Sequence, residues 1–237
     1  MTNLWVAILL SLGAGGAAFL GALLGRFEDL KPNWMTCESR HGIVAFGGGA
    51  LLAAIALVLI PEGTQLQPAW LSIITFLAGA AFFMGVDWYL STKGSSVSQF
   101  MALLLDFVPE AVVLGAIISM DFPKAIFLAV IISAQNFPEG FNAYREMTHG
   151  KDGNKGKHVM LMMAMAALTG PLWASGGYFL FEHDSIGLGA LMTFCAGGIL
   201  YLVFRDIAPQ AKLEKHWLPS FGAILGFALG MIGHAFV

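Results

Sequence analysis

The chain has 237 residues, 57% of them hydrophobic and only 11% charged, with a formal net charge of −3. A soluble domain carries roughly 25% charged residues, so this composition excludes an ordinary soluble globular protein, and the small charge gives no footing for a nucleic-acid partner. Two cysteines, Cys37 and Cys195, exclude a disulfide framework and a cysteine-rich metal site.

Apolar runs of about 20 residues recur along the whole length, each long enough to cross a bilayer. Polar punctuation predicts eight helices, at 4–26, 41–62, 69–92, 97–120, 123–146, 157–182, 186–211 and 216–237. The first has no basic leader and is long enough to span, so it reads as a retained helix and not as a cleaved signal peptide. The longest connections, near 27–40 and 147–156, are short and polar. The whole of 1–237 therefore reads as one all-α transmembrane domain, with the lipid bilayer as its surroundings.

The loops after helices 1, 3, 5 and 7 hold Arg26, Lys31 and Arg40; Lys93; Arg145, Lys151, Lys155 and Lys157; and Arg205, Lys212 and Lys215. That is 11 of the 12 basic residues, and Lys124 alone lies on the other side. The positive-inside rule then makes the odd-numbered loops cytosolic and both termini external, in a plasma or inner membrane. Trp5, Trp34, Trp70, Trp88 and Trp217 fall near the predicted interfaces, as aromatic anchors do, while Trp173 lies inside helix 6.

An internal match appears when 45–63, AFGGGALLAAIALVLIPEG, is laid over 193–211, TFCAGGILYLVFRDIAPQA. Phe46 meets Phe194, Gly49 meets Gly197, Leu52 meets Leu200 and Pro61 meets Pro209. The two helices run in opposite directions, so the match predicts an inverted repeat of helices 1–3 and 6–8 around helices 4 and 5. Shared glycine-rich composition is the competing explanation.

Helix 4 carries DFVPE (106–110) and helix 5 carries QNFPE (135–139), both near the bilayer centre. Asp106 precedes Glu110, and Gln135 precedes Glu139, by one helical turn, so each pair stacks on one face. Asn142 extends the second face, and Asn136 sits beside it. Pro109 and Pro138 should kink their helices and free the carbonyls of Leu105 and Ala134. An ionised carboxylate at mid-membrane costs roughly 2.5–3.5 kcal/mol. No Lys or Arg lies at that depth to neutralise Asp106, Glu110 and Glu139, which leaves a bound cation, protonation or interhelical hydrogen bonding.

Paired Pro-Glu stations on helices 4 and 5 of an eight-helix chain resemble the Zrt/Irt-like (ZIP) family of divalent metal transporters. The stretch 45–63 resembles that family's second helix, and FCAGGILYLVFRDIAPQA with the glycine-rich last helix resembles its seventh and eighth. The resemblance implies that Asp106, Glu110, Gln135 and Glu139 ligate the transported metal, with Asn136 in the second station. The family's usual helix-4 histidine and asparagine fall on Asp106 and Phe107, and its helix-6 acid falls on Gly170. With no donor at Phe107 or Gly170, one metal site is expected instead of two. Carboxylates and amide oxygens suit harder ions than imidazole does, so zinc, manganese, iron, cobalt or cadmium are the candidate substrates, with no organic cofactor.

Glu62, Asp87 and Asp206, with Asn142, are candidate pathway residues. Arg205 and Asp206 are sequence neighbours pointing to different faces. Met160, Met162, Met163 and Met165 crowd helix 6 all round, which reads as packing filler and not as a soft-metal cluster. Gly21 and Gly25 stand at GxxxG spacing, suited to close helix packing or to a homodimer. An intramembrane metal hydrolase is disfavoured, since no His-Glu-x-x-His or Ser-His set is present; the chain does not read as an enzyme. A ZIP-like homologue that binds a cation without carrying it, as a sensor or a selective channel, is the alternative.

Overall fold

The computed structural model describes residues 2–30, 35–92, 96–118, 120–148, 154–181, 183–214 and 216–236. Lys31, Trp34, Lys93, Lys151 and Lys215, used above for orientation and anchoring, lie outside the described residues, as does the side chain of Lys155. Among the described residues the structure is helical, with no strand. The helices are α1 (Thr2–Leu30), α2 (Cys37–Gln65), α3 (Ala69–Ser91), α4 (Ser96–Ile117), α5 (Phe122–Thr148), α6 (Asn154–Leu180), α7 (Ser185–Ala211) and α8 (Leu218–His234). Each falls on a predicted stretch, with ends displaced by a few residues.

Five of these helices (α1, α2, α3, α6 and α7) are long and apolar enough to cross a membrane, and α8 is apolar but shorter. Their outer faces are apolar as well: α3 exposes Ile73, Ile74, Leu77, Phe82 and Met84. A surface of that kind fits lipid and not water. The protein has the make-up of an integral membrane protein.

Helix starts are set by local capping. Thr36 Oγ1 accepts the Ser39 N–H at 3.1 Å ahead of α2, and Asp184 Oδ1 accepts the Gly187 N–H at 2.8 Å ahead of α7. Two helices change pitch near their ends, as Ile55–Leu59 in α2 and Val203–Ile207 in α7 are π-helical. The Ile60 N–H reaches back five residues to the Ile55 carbonyl, and the Ala208 N–H to that of Val203. Pro61 and Pro209 follow directly. A widened turn accommodates a ring that would otherwise strike the carbonyl of the preceding turn.

The closest helix pairs are α2 with α8, α3 with α7, α1 with α5 and α6, and α4 with α6. Four of these crossings are built alike. A Cβ on Gly49 would strike the Ala223 carbonyl, and one on Gly226 the Phe46 carbonyl. Gly79 faces Phe194 and Gly197 faces Phe76 in the same way; so do Gly115 with Ala174, Gly177 with Val112, Gly140 with Ala18 and Gly21 with Phe137. At each crossing the carbonyl stands three residues before its own helix's glycine. Backbones meet there directly, which is how small residues hold membrane helices together without a hydrophobic driving force. Gly21 and Gly25 thus pack against α5 of the same chain; at Gly25 a Cβ would stand 3.1 Å from the Tyr144 ring.

The pairings divide the helices into two groups, α1, α4, α5 and α6 in one, and α2, α3, α7 and α8 in the other. The groups meet mainly where α5 crosses α2 and where α4 crosses α7. The core between them holds Leu51, Ile55, Val58, Leu114, Ile131, Ile132 and Ile199. On α6, Met163 is fully buried and Met165 is exposed. The methionines therefore face different ways, as packing filler does.

Candidate metal site

Both polar stations lie where α4 and α5 come together inside the bundle. Asp106, Glu110, Gln135 and Asn136 are all buried, with 4%, 1%, 0% and 2% exposure, and Glu139 is partly exposed. α4 and α5 run as unbroken α-helix through Pro109 and Pro138. The carbonyls of Leu105 and Ala134 lose the N–H that proline lacks, but the helix continues past them without unwinding. One proline forgoes one hydrogen bond, and packed neighbours can hold the helix axis around it. The irregular backbone lies instead in the π segments of α2 and α7.

The five predicted ligands separate into three arrangements. Gln135 Nε2 donates to Glu110 Oε1, joining α5 to α4. Asn136 Nδ2 donates to the Ala14 carbonyl of α1 at 2.9 Å, so its amide ties α5 to α1. Asp106 and Glu139 approach within hydrogen-bonding reach of each other and line one cavity. As carboxylates neither can donate to the other, and Asp106 Oδ1 and Oδ2 are buried with no partner. Glu110 Oε2 and Gln135 Oε1 are likewise buried and unpartnered.

A buried acceptor left unmatched costs roughly 1–3 kcal/mol, and more when charged. The ion pairs seen among the described residues lie at the helix ends, on Arg40, Arg145, Arg205, His216 and Lys124, and none reaches these acids. Four unmatched oxygens without a nearby cationic side chain form a place for a cation or a proton. Among the described residues, no group of three or more His, Cys, Asp or Glu side chains is gathered closely enough to hold a metal. Any ion here would draw on amide oxygens and water as well as carboxylates.

The cavity, of about 110 Å³, leads from Asp106 and Glu139 to Asn142, Glu146, Asp206 and Gln210 at the α5 and α7 ends. That is room for several waters. Asn142 Nδ2 bridges Glu146 Oε1 at 2.9 Å and Gln210 Oε1 at 2.6 Å, linking the two helices at the mouth. A further recess lined by His41, Arg145, Glu146 and Lys212 continues from it. Sequence reasoning picked out Asn142 and Asp206 and missed Glu146 and Gln210. Glu146 lies one turn beyond Asn142, so its spacing was a readable signal; Gln210 could be placed only by the packing of α7 on α5.

Two other expected pathway residues have partners. Asp87 lacked an obvious partner in the sequence, but Oδ2 accepts from Tyr201 Oη at 2.9 Å and from Arg205 Nε at 3.1 Å. It fastens α3 to α7 and does not line the cavity. Arg205 indeed engages a residue other than Asp206. Glu62, at the end away from the cavity mouth, pairs with Lys124 at 2.7 Å.

Phe107, on α4, is packed beside the stations. A Cβ placed on Gly15 or Gly170 would stand 2.8 or 2.9 Å from Phe107 Cζ. The ring, 2% exposed, fills the space that these two glycines leave beside the stations.

The chain matches no protein-family model and no curated protein sequence.

Proposed function

We propose that the chain is a divalent metal cation transporter of the Zrt/Irt-like kind, carrying its substrate toward the cytosol through a single oxygen-rich site. The observation that carries this reading is the set of buried, unmatched oxygens on Asp106, Glu110 and Gln135, with Asp106 at the head of an open cavity. A cation arriving there exchanges waters for the carboxylates of Asp106 and Glu139, with the oxygens of Glu110 and Gln135 deeper in the same place. Asn142, Glu146 and Asp206 line its way out. The basic residues of the odd loops put that mouth in the cytosol, so the conformation described is inward-facing.

An eight-span inverted repeat agrees with the packing. The π segment of α7 falls at the positions that the overlay of 45–63 on 193–211 assigns to the π segment of α2. Gly49 and Gly197, paired in that overlay, each sit at a backbone crossing, and so do Phe46 and Phe194. Exchanging α1 with α6, α2 with α7, α3 with α8 and α4 with α5 turns the α2–α8 pair into α7–α3, and α1–α5 into α6–α4. In this register Glu110 corresponds to Gln135, its own hydrogen-bond partner. The two residues then face each other across the pseudo-twofold axis.

The Phe107 ring, filling the space beside Gly15 and Gly170 where a second metal would need donors, supports one metal per chain. The deciding experiment is uptake of zinc, manganese, iron, cobalt, cadmium and magnesium into proteoliposomes, beside equilibrium binding. Saturable flux of a divalent ion at one bound ion per chain is expected. Binding without flux for any metal replaces the transport reading with that of a metal-binding homologue, and no binding discards both.

Asp106 is the expected determinant of selectivity. Imidazole favours zinc over manganese more than a carboxylate does. Asp106→His should raise the zinc-to-manganese uptake ratio about tenfold, which corresponds to about 1.4 kcal/mol of differential binding. An unchanged ratio removes Asp106 from the selectivity argument.

A further inference from the structure

The cavity reaches the site from one end of the bundle; at the other, among the described residues, an ion pair joins α2 to α5. There Lys124, at the start of α5, places Nζ 2.7 Å from Glu62 Oε1 of α2 and 3.3 Å from Asp121 Oδ2. Asp121 Oδ1 also accepts the Lys124 backbone N–H at 3.1 Å, so the lysine's own helix start holds it in position. Glu62 follows Pro61 and the π segment Ile55–Leu59, whose Ile55 and Val58 are buried in the apolar core. Among the described residues, buried apolar packing and this ion pair lie at the end of the bundle away from the cavity mouth. α2 and α5 belong to different helix groups, so this pair ties the two groups together at that end.

We propose that Lys124 and Glu62 form an outer latch, which holds the site shut to the outside while it is open to the cytosol and must break for the site to face outward. The proposal rests on the transport reading for its purpose. A contact made in one of two conformations favours that conformation by its own free energy, so its loss shifts the population toward the other. The pair is only part-buried, with side-chain exposures of 31% for Lys124 and 25% for Glu62. That suits a contact meant to break and re-form, since water can replace each partner.

The test uses Val58, 2% exposed, as a reporter one turn below Glu62. In the full-length chain carrying Val58→Cys and Cys37→Ser, the remaining native thiol, Cys195, is fully buried. Proteoliposomes with the outer face exposed are treated with a membrane-impermeant methanethiosulfonate, and the labelling rate is measured. Lys124→Gln is expected to raise the rate roughly three- to tenfold, and Glu62→Gln to do the same from the other side. The charge swap Glu62→Lys with Lys124→Glu should bring the rate back toward that of the parent. Lys212→Gln, at the opposite mouth, should leave it unchanged.

An unchanged rate in both single variants, at an unaltered melting temperature and elution volume, overturns the latch. So does a swap variant that labels as fast as the single ones. Flux in the same vesicles separates the two ideas: flux with unchanged labelling retires the latch alone, whereas faster labelling without flux of any metal keeps the latch and retires the transport reading.

Discussion

Glu139→Ala protein in liposomes should take up no divalent cation above background, yet melt at a higher temperature than the parent when metal is absent. The two effects have one cause. Glu139 stands beside Asp106 at the head of the cavity, and two carboxylates in contact at mid-membrane repel each other unless an ion or a proton lies between them. Each ionised acid at that depth carries a penalty of roughly 2.5–3.5 kcal/mol, so deleting one relieves the empty protein. The same deletion takes away half of the carboxylate pair that a cation would bridge. A loss of about 100-fold in affinity, near 2.7 kcal/mol, is the minimum expected.

Thermal melting with and without metal separates this reading from its rival. Metal bound to the parent raises its melting temperature by mass action, and the variant should show no such rise at the same concentration. If Glu139 instead served only to join helices through neutral hydrogen bonds, alanine would lower the melting temperature of the metal-free protein. That result, or a variant that still transports, would remove Glu139 from the site. Glu139→Gln keeps the shape and loses the charge, so it should follow the alanine variant in uptake.

The helices were legible because each apolar stretch ends at polar punctuation that the fold also uses, as at Thr36 and Asp184. Asp106 and Glu139 were legible because an acid inside an apolar helix has few bland explanations. What the sequence hid was tertiary. Placing DFVPE over QNFPE sets Glu110 against Glu139, whereas the packing sets Glu110 against Gln135, because two packed helices meet in a register that a linear overlay cannot supply. The same is true of Asp87, whose partners Tyr201 and Arg205 are more than a hundred residues away in sequence. Pro109 and Pro138 look like helix breakers, but the turns that widen are those before Pro61 and Pro209.

Gly177→Ala should unfold or severely destabilise the protein, while the same change one residue earlier, Gly176→Ala, should be harmless. A methyl on Gly177 would strike the carbonyl of Val112 on α4, and Gly176 has nothing within 4 Å. The two glycines are neighbours on one helix, so their comparison isolates the crossing from helix propensity, which at either position favours alanine by up to about 1 kcal/mol in water. Backbone cannot rotate out of the way as a side chain can, and overpacking even of flexible cores costs about 1–3 kcal/mol. The loss at Gly177 should lie at or beyond the upper end of that range, read as a fall in melting temperature or in the monodisperse fraction in detergent. The proposed inverted repeat extends the prediction to α1. Gly21 faces the Phe137 carbonyl of α5 as Gly177 faces that of Val112, and Gly16, like Gly176, has open space around it. Gly21→Ala and Gly16→Ala should therefore reproduce the contrast in α1. A severe effect at Gly177 with a mild one at Gly21 would mean that the two crossings do not bear equivalent loads, and would count against the inverted repeat as the plan of the fold.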